Sequence, residues 1–159
     1  MRIAGILKNS VVNGDGIRDV IFTQGCPHHC KGCHNPSTWD VDGGEAMSVD
    51  EIVKELSNST NDVTISGGEP LIQQGEVEEL LAKLSQHNKS AWLYTGYNYE
   101  DIPTKTWERL WVVGLRVIVD GEFELAKKDL RLQFRGSSNQ RIIDLTKTLN
   151  SGKIVLWEG

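Results

Sequence analysis

A chain of 159 residues, 38% hydrophobic and 25% charged, has the balance of an ordinary soluble globular domain with enough apolar side chains for a substantial core. Seventeen Lys and Arg against 22 Asp and Glu give a formal net charge of −5, which disfavours nucleic acid and anionic membranes as partners. No run approaches the roughly 20 apolar residues of a membrane span, the N-terminus lacks a signal-peptide stretch, and three cysteines bunched in one loop make no disulfide framework; the expected setting is a reducing cytoplasm.

In chain order, "RDVIFTQG" (18–25) is β-branched and aromatic and reads as a strand running straight into a cysteine-rich loop. "SVDEIVKELS" (48–57) opens with a capping box, Ser48 accepting from the Glu51 amide, and sets Ile52, Val53 and Leu56 on one helical face. "DVTIS" (62–66) is a short strand ending at paired glycines. "EVEELLAKLSQ" (76–86) spaces Val77, Leu80, Leu81 and Leu84 as an amphipathic helix, with His87 at its end, where a cation suits the dipole. "AWLYTG" (91–96) reads as a strand, "TKTWERLWVV" (104–113) as a short helix and "RVIVDG" (116–121) as a strand. In the tail, "LRLQFRGSSNQRIIDLTKTL" (130–149) reads as strand, turn and strand, and "KIVLW" (153–157) as a last strand.

Alternating strands and helices predict an α/β fold with a mostly parallel sheet. No repeat, low-complexity tract or linker divides the chain, so residues 1–159 read as one domain. A closed eight-fold barrel takes about 250 residues, so the architecture expected is an incomplete, open β/α barrel, in preference to a doubly wound sheet. In either, ligands gather at the carboxyl ends of the strands. The loops predicted there are "GCPHHCKGCHNP", "SGGEP" and "YTGYN", the least ordinary stretches of the chain.

Cys26, Cys30 and Cys33 are the chain's entire cysteine complement. Their spacing leaves four readings open: a structural zinc completed by His28, His29 or His34, a redox dithiol at Cys30 and Cys33, an electron-transfer cluster, which ordinarily takes four thiolates, and a [4Fe–4S] cluster on three thiolates with one iron free for a substrate. The last needs nothing the loop does not hold. His28 and His29 are expected to line the loop. "ISGGEPL" (65–71) reads either as a plain turn or as a place where Gly67 and Gly68 let backbone approach a ligand, with Glu69 offering a carboxylate to an ammonium group.

Together, a Cys-x3-Cys-x2-Cys loop after one strand and a GGEP turn after the next resemble the radical S-adenosylmethionine (SAM) enzymes. "GDGIRDVIFTQGC" and "CHNPSTWD" around the loop resemble the glycyl-radical activating enzymes. The short chain and "VDGEF…FRGSSNQRIIDL" resemble their branch acting on anaerobic ribonucleoside-triphosphate reductases. The resemblance implies a [4Fe–4S] cluster on Cys26, Cys30 and Cys33 within a cluster loop at 25–38. It implies SAM held by its amino group at the turn Gly67, Gly68, Glu69 and Pro70. It further implies one-electron reduction by reduced flavodoxin or a similar donor, release of a 5′-deoxyadenosyl radical, and hydrogen abstraction from a glycine of a large reductase subunit.

One departure is Gly32, where the wider superfamily places an aromatic residue over the adenine; with Cys33 beside it, His34 and Asn35 are then candidates for that contact. Thr95 and Asp120, at strand ends, are candidates for ribose or methionine, with turn roles as the alternative. Arg18 is read as a surface ion-pair residue, and the five tryptophans as core or interface anchors. Segment 120–159, with Arg135, Asn139 and Gln140, is the candidate partner-facing part. The competing assignments are an activase of pyruvate formate-lyase or another glycyl-radical enzyme, and a zinc-stabilised interaction module.

Overall fold

The computed structural model describes all residues from Met1 to Gly159. Its strands and helices follow as β1 (Arg2–Ser10), β2 (Arg18–Thr23), β3 (Glu45–Ala46), α1 (Val49–Leu56), β4 (Asp62–Gly67), α2 (Gln74–Ser85), β5 (Ala91–Tyr94), α3 (Thr104–Val112), β6 (Leu115–Asp120), β7 (Arg141–Asp144) and α4 (Leu145–Ser151). All seven strands form one mixed sheet, in the order β3-β1-β2-β4-β5-β6-β7. Within it β2, β4, β5 and β6 are parallel neighbours in chain order, while β1, β3 and β7 pair antiparallel at the flanks. The fold is therefore α/β, as the alternation predicts.

The helix periodicities are realised. Val77, Leu80, Leu81 and Leu84 are all buried on α2, each worth about 1.5–3 kcal/mol of transfer free energy. Alternate residues of the strands divide between two faces. Leu93 and Ile118 join the helices in the main core, whereas Trp92, Val117 and Val119 build a second cluster with Phe134 and Trp157 on the opposite face. The helices pack side by side, α1 on α2, α2 on α3 and α3 on α4. Ser48 caps α1 by accepting from Glu51 N–H at 3.1 Å, but the Glu51 carboxylate accepts the Ser48 hydroxyl proton, so only half of the expected capping box forms.

Four sequence expectations need correction, and one strand is added to those predicted. The hairpin partner β1 is unannounced in sequence, because Gly5 and the left-handed Asn9 (φ 61°) interrupt its alternation. Residues 130–140 form turns rather than a strand: Phe134 sits at φ 65°, and Arg135 and Gln140 close the segment on itself. Residues 145–149 lie in α4 rather than a strand, since the Asp144 side chain accepts from Lys147 N–H and Gly152 ends the helix in the left-handed conformation. "KIVLW" contributes only an isolated bridge, Leu156 to Ile143, beside β7. Arg18 also departs from a surface role: it is buried, donates to Thr64 Oγ1 (2.9 Å) and the Val63 carbonyl (2.8 Å), and lies over the Trp92 ring.

Candidate cofactor site

The carboxyl ends of β2, β4, β5 and β6 share one edge of the sheet, and a cavity of ≈ 520 Å³ opens there, within the range of small-molecule sites. Cys26, Cys30 and Cys33 line it together with His34, Asn35, Gly67, Gly68 and Thr95. Residues far apart in the chain thus meet at one rim because parallel strands deliver their loops to the same end.

The cysteine loop is held by backbone. Gly25 N–H donates to Thr38 O (2.6 Å), Cys26 N–H to Trp39 O (3.1 Å) and Cys33 N–H to Cys30 O (3.1 Å), while the Gln24 amide donates to the Ser37 and Asp40 carbonyls. Burial pushes the Cys26 and Cys30 thiols up; backbone N–H groups of His28 and His29 aimed at Cys26, and of Phe123 aimed at Cys30, act the other way. Asn35 N–H points at Cys33 Sγ at 3.4 Å. Such N–H···S contacts are what thiolate ligands need.

The histidines do not complete a tetrahedral zinc set. His28 lies between two carboxylates, His29 stacks on Trp39 at 4.7 Å and 7°, and His34 leans on Phe123. No three His, Cys, Asp or Glu side chains converge as ligands of a single ion would. Three unpaired thiols lining one cavity are the donor type an iron–sulfur cluster takes, so the donor set fits that group.

The glycine turn is packed onto the cysteine loop. Gly67 has φ 108°, and a Cβ there would meet Thr23 N at 2.3 Å; one on Gly68 would meet Gly25 O at 2.3 Å. Gly68 N–H donates to Thr23 O and Glu69 N–H to Gly25 O. Close approach of backbone to backbone therefore explains both glycines. Pro70 begins a short 3₁₀ turn, Pro70–Gln73, that Glu69 caps by accepting from Leu71 N–H at 3.0 Å.

The Glu69 carboxylate is 0% exposed. Besides Leu71 N–H, it accepts from His28 Nε2 at 2.7 Å, from the Thr95 hydroxyl at 2.9 Å and from Gly96 N–H at 2.7 Å. His28 Nδ1 lies 2.9 Å from Glu122. Each ring nitrogen thus faces a carboxylate, an arrangement that favours the protonated ring; the Glu69 hydrogen bond, then the Glu122 one, hold its pKa above the ordinary value against burial. One hydrogen-bonded chain thus joins all four loops that follow the parallel strands: His28 after β2, Glu69 after β4, Thr95 and Gly96 after β5, Glu122 after β6.

Asp120 is placed differently from the cavity residues. It is 1% exposed, accepts from Tyr99 N–H (2.7 Å) and pairs with Arg141 at 2.6 Å, which continues to Glu100. Gly32 (φ 78°) is closed over by Leu125, 2.8 Å from where a Cβ would stand, and by the Phe123 ring. Arg135 and Gln140 line the cavity; Asn139 donates to the Glu122 carbonyl outside it.

Sequence reasoning missed Glu122 and Phe123, although their place just past β6 put them on the same rim. It also missed Val11, Val12 and Asn13, which line the cavity from the loop after β1, and Phe134, whose carbonyl accepts the Tyr94 hydroxyl at 2.6 Å. His28 was singled out without its partner, for which no local signal exists.

The model of the 4Fe-4S single cluster domain family matches residues 12–143. The chain is 41% identical over 139 residues to the anaerobic ribonucleoside-triphosphate reductase-activating protein of Enterobacteria phage T4, covering 82% of this chain and 86% of that one. It is 36% identical over 141 residues to the Escherichia coli K12 protein of the same name (82% and 90% covered) and 33% over 148 residues to that of Pasteurella multocida (86% and 93%). With the cysteine loop, the glycine turn and the cavity between them accounted for, this chain belongs to the family of anaerobic ribonucleoside-triphosphate reductase-activating proteins, within the 4Fe-4S single cluster domain family.

Proposed function

We propose that this chain is a radical SAM activase that forms a glycyl radical on the large subunit of an anaerobic ribonucleoside-triphosphate reductase. The observation that carries the reading is the meeting of three thiols and the Gly67–Gly68 turn in one cavity. When bound, the [4Fe–4S] cluster and SAM would supply the chemistry, one-electron cleavage of the S–C5′ bond to methionine and a 5′-deoxyadenosyl radical able to take hydrogen from a glycine Cα.

Cys26, Cys30 and Cys33 would hold the cluster, with loop N–H groups supporting the sulfurs. The backbone carbonyls of the 67–70 turn would take the amino group of SAM, a proximity role. His34, Asn35 and Thr95 line the same cavity and would border the rest of the nucleotide, whereas Gly32 is closed off by Leu125 and Phe123. Apolar walls at Phe22, Val119, Phe123, Leu132 and Phe134 would limit water around a reactive species.

The finer fold reading is an open β/α barrel. What supports it is that β2, β4, β5 and β6 advance in one direction across the sheet without the reversal of a doubly wound fold. An open barrel would leave room for a partner's glycine loop, with segment 120–159 beside it through Arg135, Asn139 and Gln140. Reduced flavodoxin or a similar donor would provide the electron. No helix is long and apolar enough to cross a membrane, and a cytoplasmic setting agrees with three free thiols.

The test is anaerobic reconstitution, expecting about four iron and four sulfide per chain, followed by dithionite and SAM, expecting 5′-deoxyadenosine. Incubation with an anaerobic ribonucleotide reductase should then give a glycyl doublet by electron paramagnetic resonance (EPR). A doublet on pyruvate formate-lyase alone would reassign the partner, and stoichiometric zinc in a colourless sample would end the enzyme reading.

A further inference from the structure

Besides the backbone hydrogen bond from Glu69 N–H to Gly25 O, the cysteine loop and the glycine turn are linked by a side chain that belongs to neither signature. His28 projects from between Cys26 and Cys30 and ends on Glu69, 2.7 Å from its carboxylate. Its side chain is 7% exposed, and the surroundings are shaped to it. A Cβ on Gly96 would stand 2.5 Å from His28 Cδ2 and 2.6 Å from Nε2, so only glycine there admits the ring. Tyr97 meets its face edge-on at 4.7 Å, and Glu122 holds the outer nitrogen.

Glu69 has no free capacity. Two carboxylate oxygens offer about four lone-pair sites. His28, Thr95, Gly96 and Leu71 fill them, with the Thr95 hydroxyl 2.9 Å from each oxygen. A substrate ammonium would have to displace one of these donors inside a fully buried pocket. The amino group of SAM is therefore left to the turn's backbone carbonyls, and Glu69 serves to aim them.

We propose that His28 is a positioning residue which, through Glu69, fixes the Gly67–Gly68 backbone relative to the cysteine loop and so sets where the amino group of SAM sits against the cluster; this rests on the SAM reading above. The prediction separates SAM binding from cluster retention. The backbone contacts that hold the cysteine loop, from Gly25 to Thr38 and from Cys26 to Trp39, do not involve the imidazole.

The experiment uses reconstituted full-length protein and three variants, His28→Ala, His28→Gln and Gly96→Ala. The last expels the ring without deleting a donor. The measurements are iron and sulfide content, the EPR signal of the reduced cluster with and without SAM, and the KM for SAM against kcat in 5′-deoxyadenosine formation. His28→Ala and Gly96→Ala are expected to keep the cluster and its signal without SAM. They should lose the SAM-induced change in that signal and raise KM by about tenfold or more, the scale of one charge-assisted hydrogen bond. His28→Gln, which can still donate to Glu69, should recover most of the difference.

Wild-type KM and an unchanged SAM response in His28→Ala would overturn the proposal. Loss of iron in both His28→Ala and Gly96→Ala would overturn it too, by making His28 a prop of the cluster loop alone. Unmodified protein that carries the cluster yet neither responds to SAM nor cleaves it fails the activase reading itself, before any variant is compared.

Discussion

Cys26, Cys30 and Cys33 are the chain's only cysteines and line one cavity. Each Cys→Ala substitution is therefore expected to abolish stable cluster loading, read as loss of iron and of the brown absorbance after reconstitution, and with it 5′-deoxyadenosine formation. Retention of the full iron content in any one variant would contradict three-thiolate ligation. Gly67 poses a different residue-scale problem, because its φ of 108° and its approach to Thr23 leave no room for Cβ. Gly67→Ala should cost about 1–3 kcal/mol, seen as a lowered urea midpoint of the apoprotein. Both motifs were legible from sequence, since spacing and residue type are local. The partners of Glu69 were not: its acidity suggested an ammonium ligand, and no local pattern records that it is buried against four donors.

At the scale of elements, the helices were the most readable part, because a 3.6-residue apolar period is written along the chain. Leu80 is fully buried on α2 against the sheet, so Leu80→Ala should cost about 2–5 kcal/mol, read as a fall in Tm. The tail was the least readable. "RIIDLTKTL" is β-branched enough to pass for a strand, but Asp144 is positioned to cap and Gly152 to stop a helix, and those two residues outweigh propensity. Segment 130–140 carries strand-like residues that stay unpaired, anchored instead by the Tyr94 hydroxyl, whose pKa burial pushes far upward. Tyr94→Phe removes that anchor from the Phe134 carbonyl. Faster amide hydrogen exchange over 130–137 should follow, together with a change in the fluorescence of Trp92 and Trp157, which pack with Phe134. Unchanged exchange would show that the aromatic cluster alone holds the segment.

Across the whole molecule, the main core and the cofactor site are separate. The main apolar cluster lies between the sheet and the helices and contains no cysteine, histidine or member of the glycine turn. Removing the cluster with a chelator under anaerobic conditions should therefore leave far-UV circular dichroism nearly unchanged, in contrast to small zinc domains that unfold without metal. Collapse of the spectrum would mean that the cluster is structural. The sequence by itself determined the class of fold, the four parallel strand ends and the three unusual loops that follow the first three of them, because periodicity, capping and cysteine spacing act over a few residues. Only the tertiary structure decided that β1 and β7 flank those strands, that Arg18 lies inside, that Asp120 pairs with Arg141, and that His28 reaches Glu69 across 41 residues of chain. Those are contacts between distant segments. Their free energy depends on burial and on partners that no local pattern records.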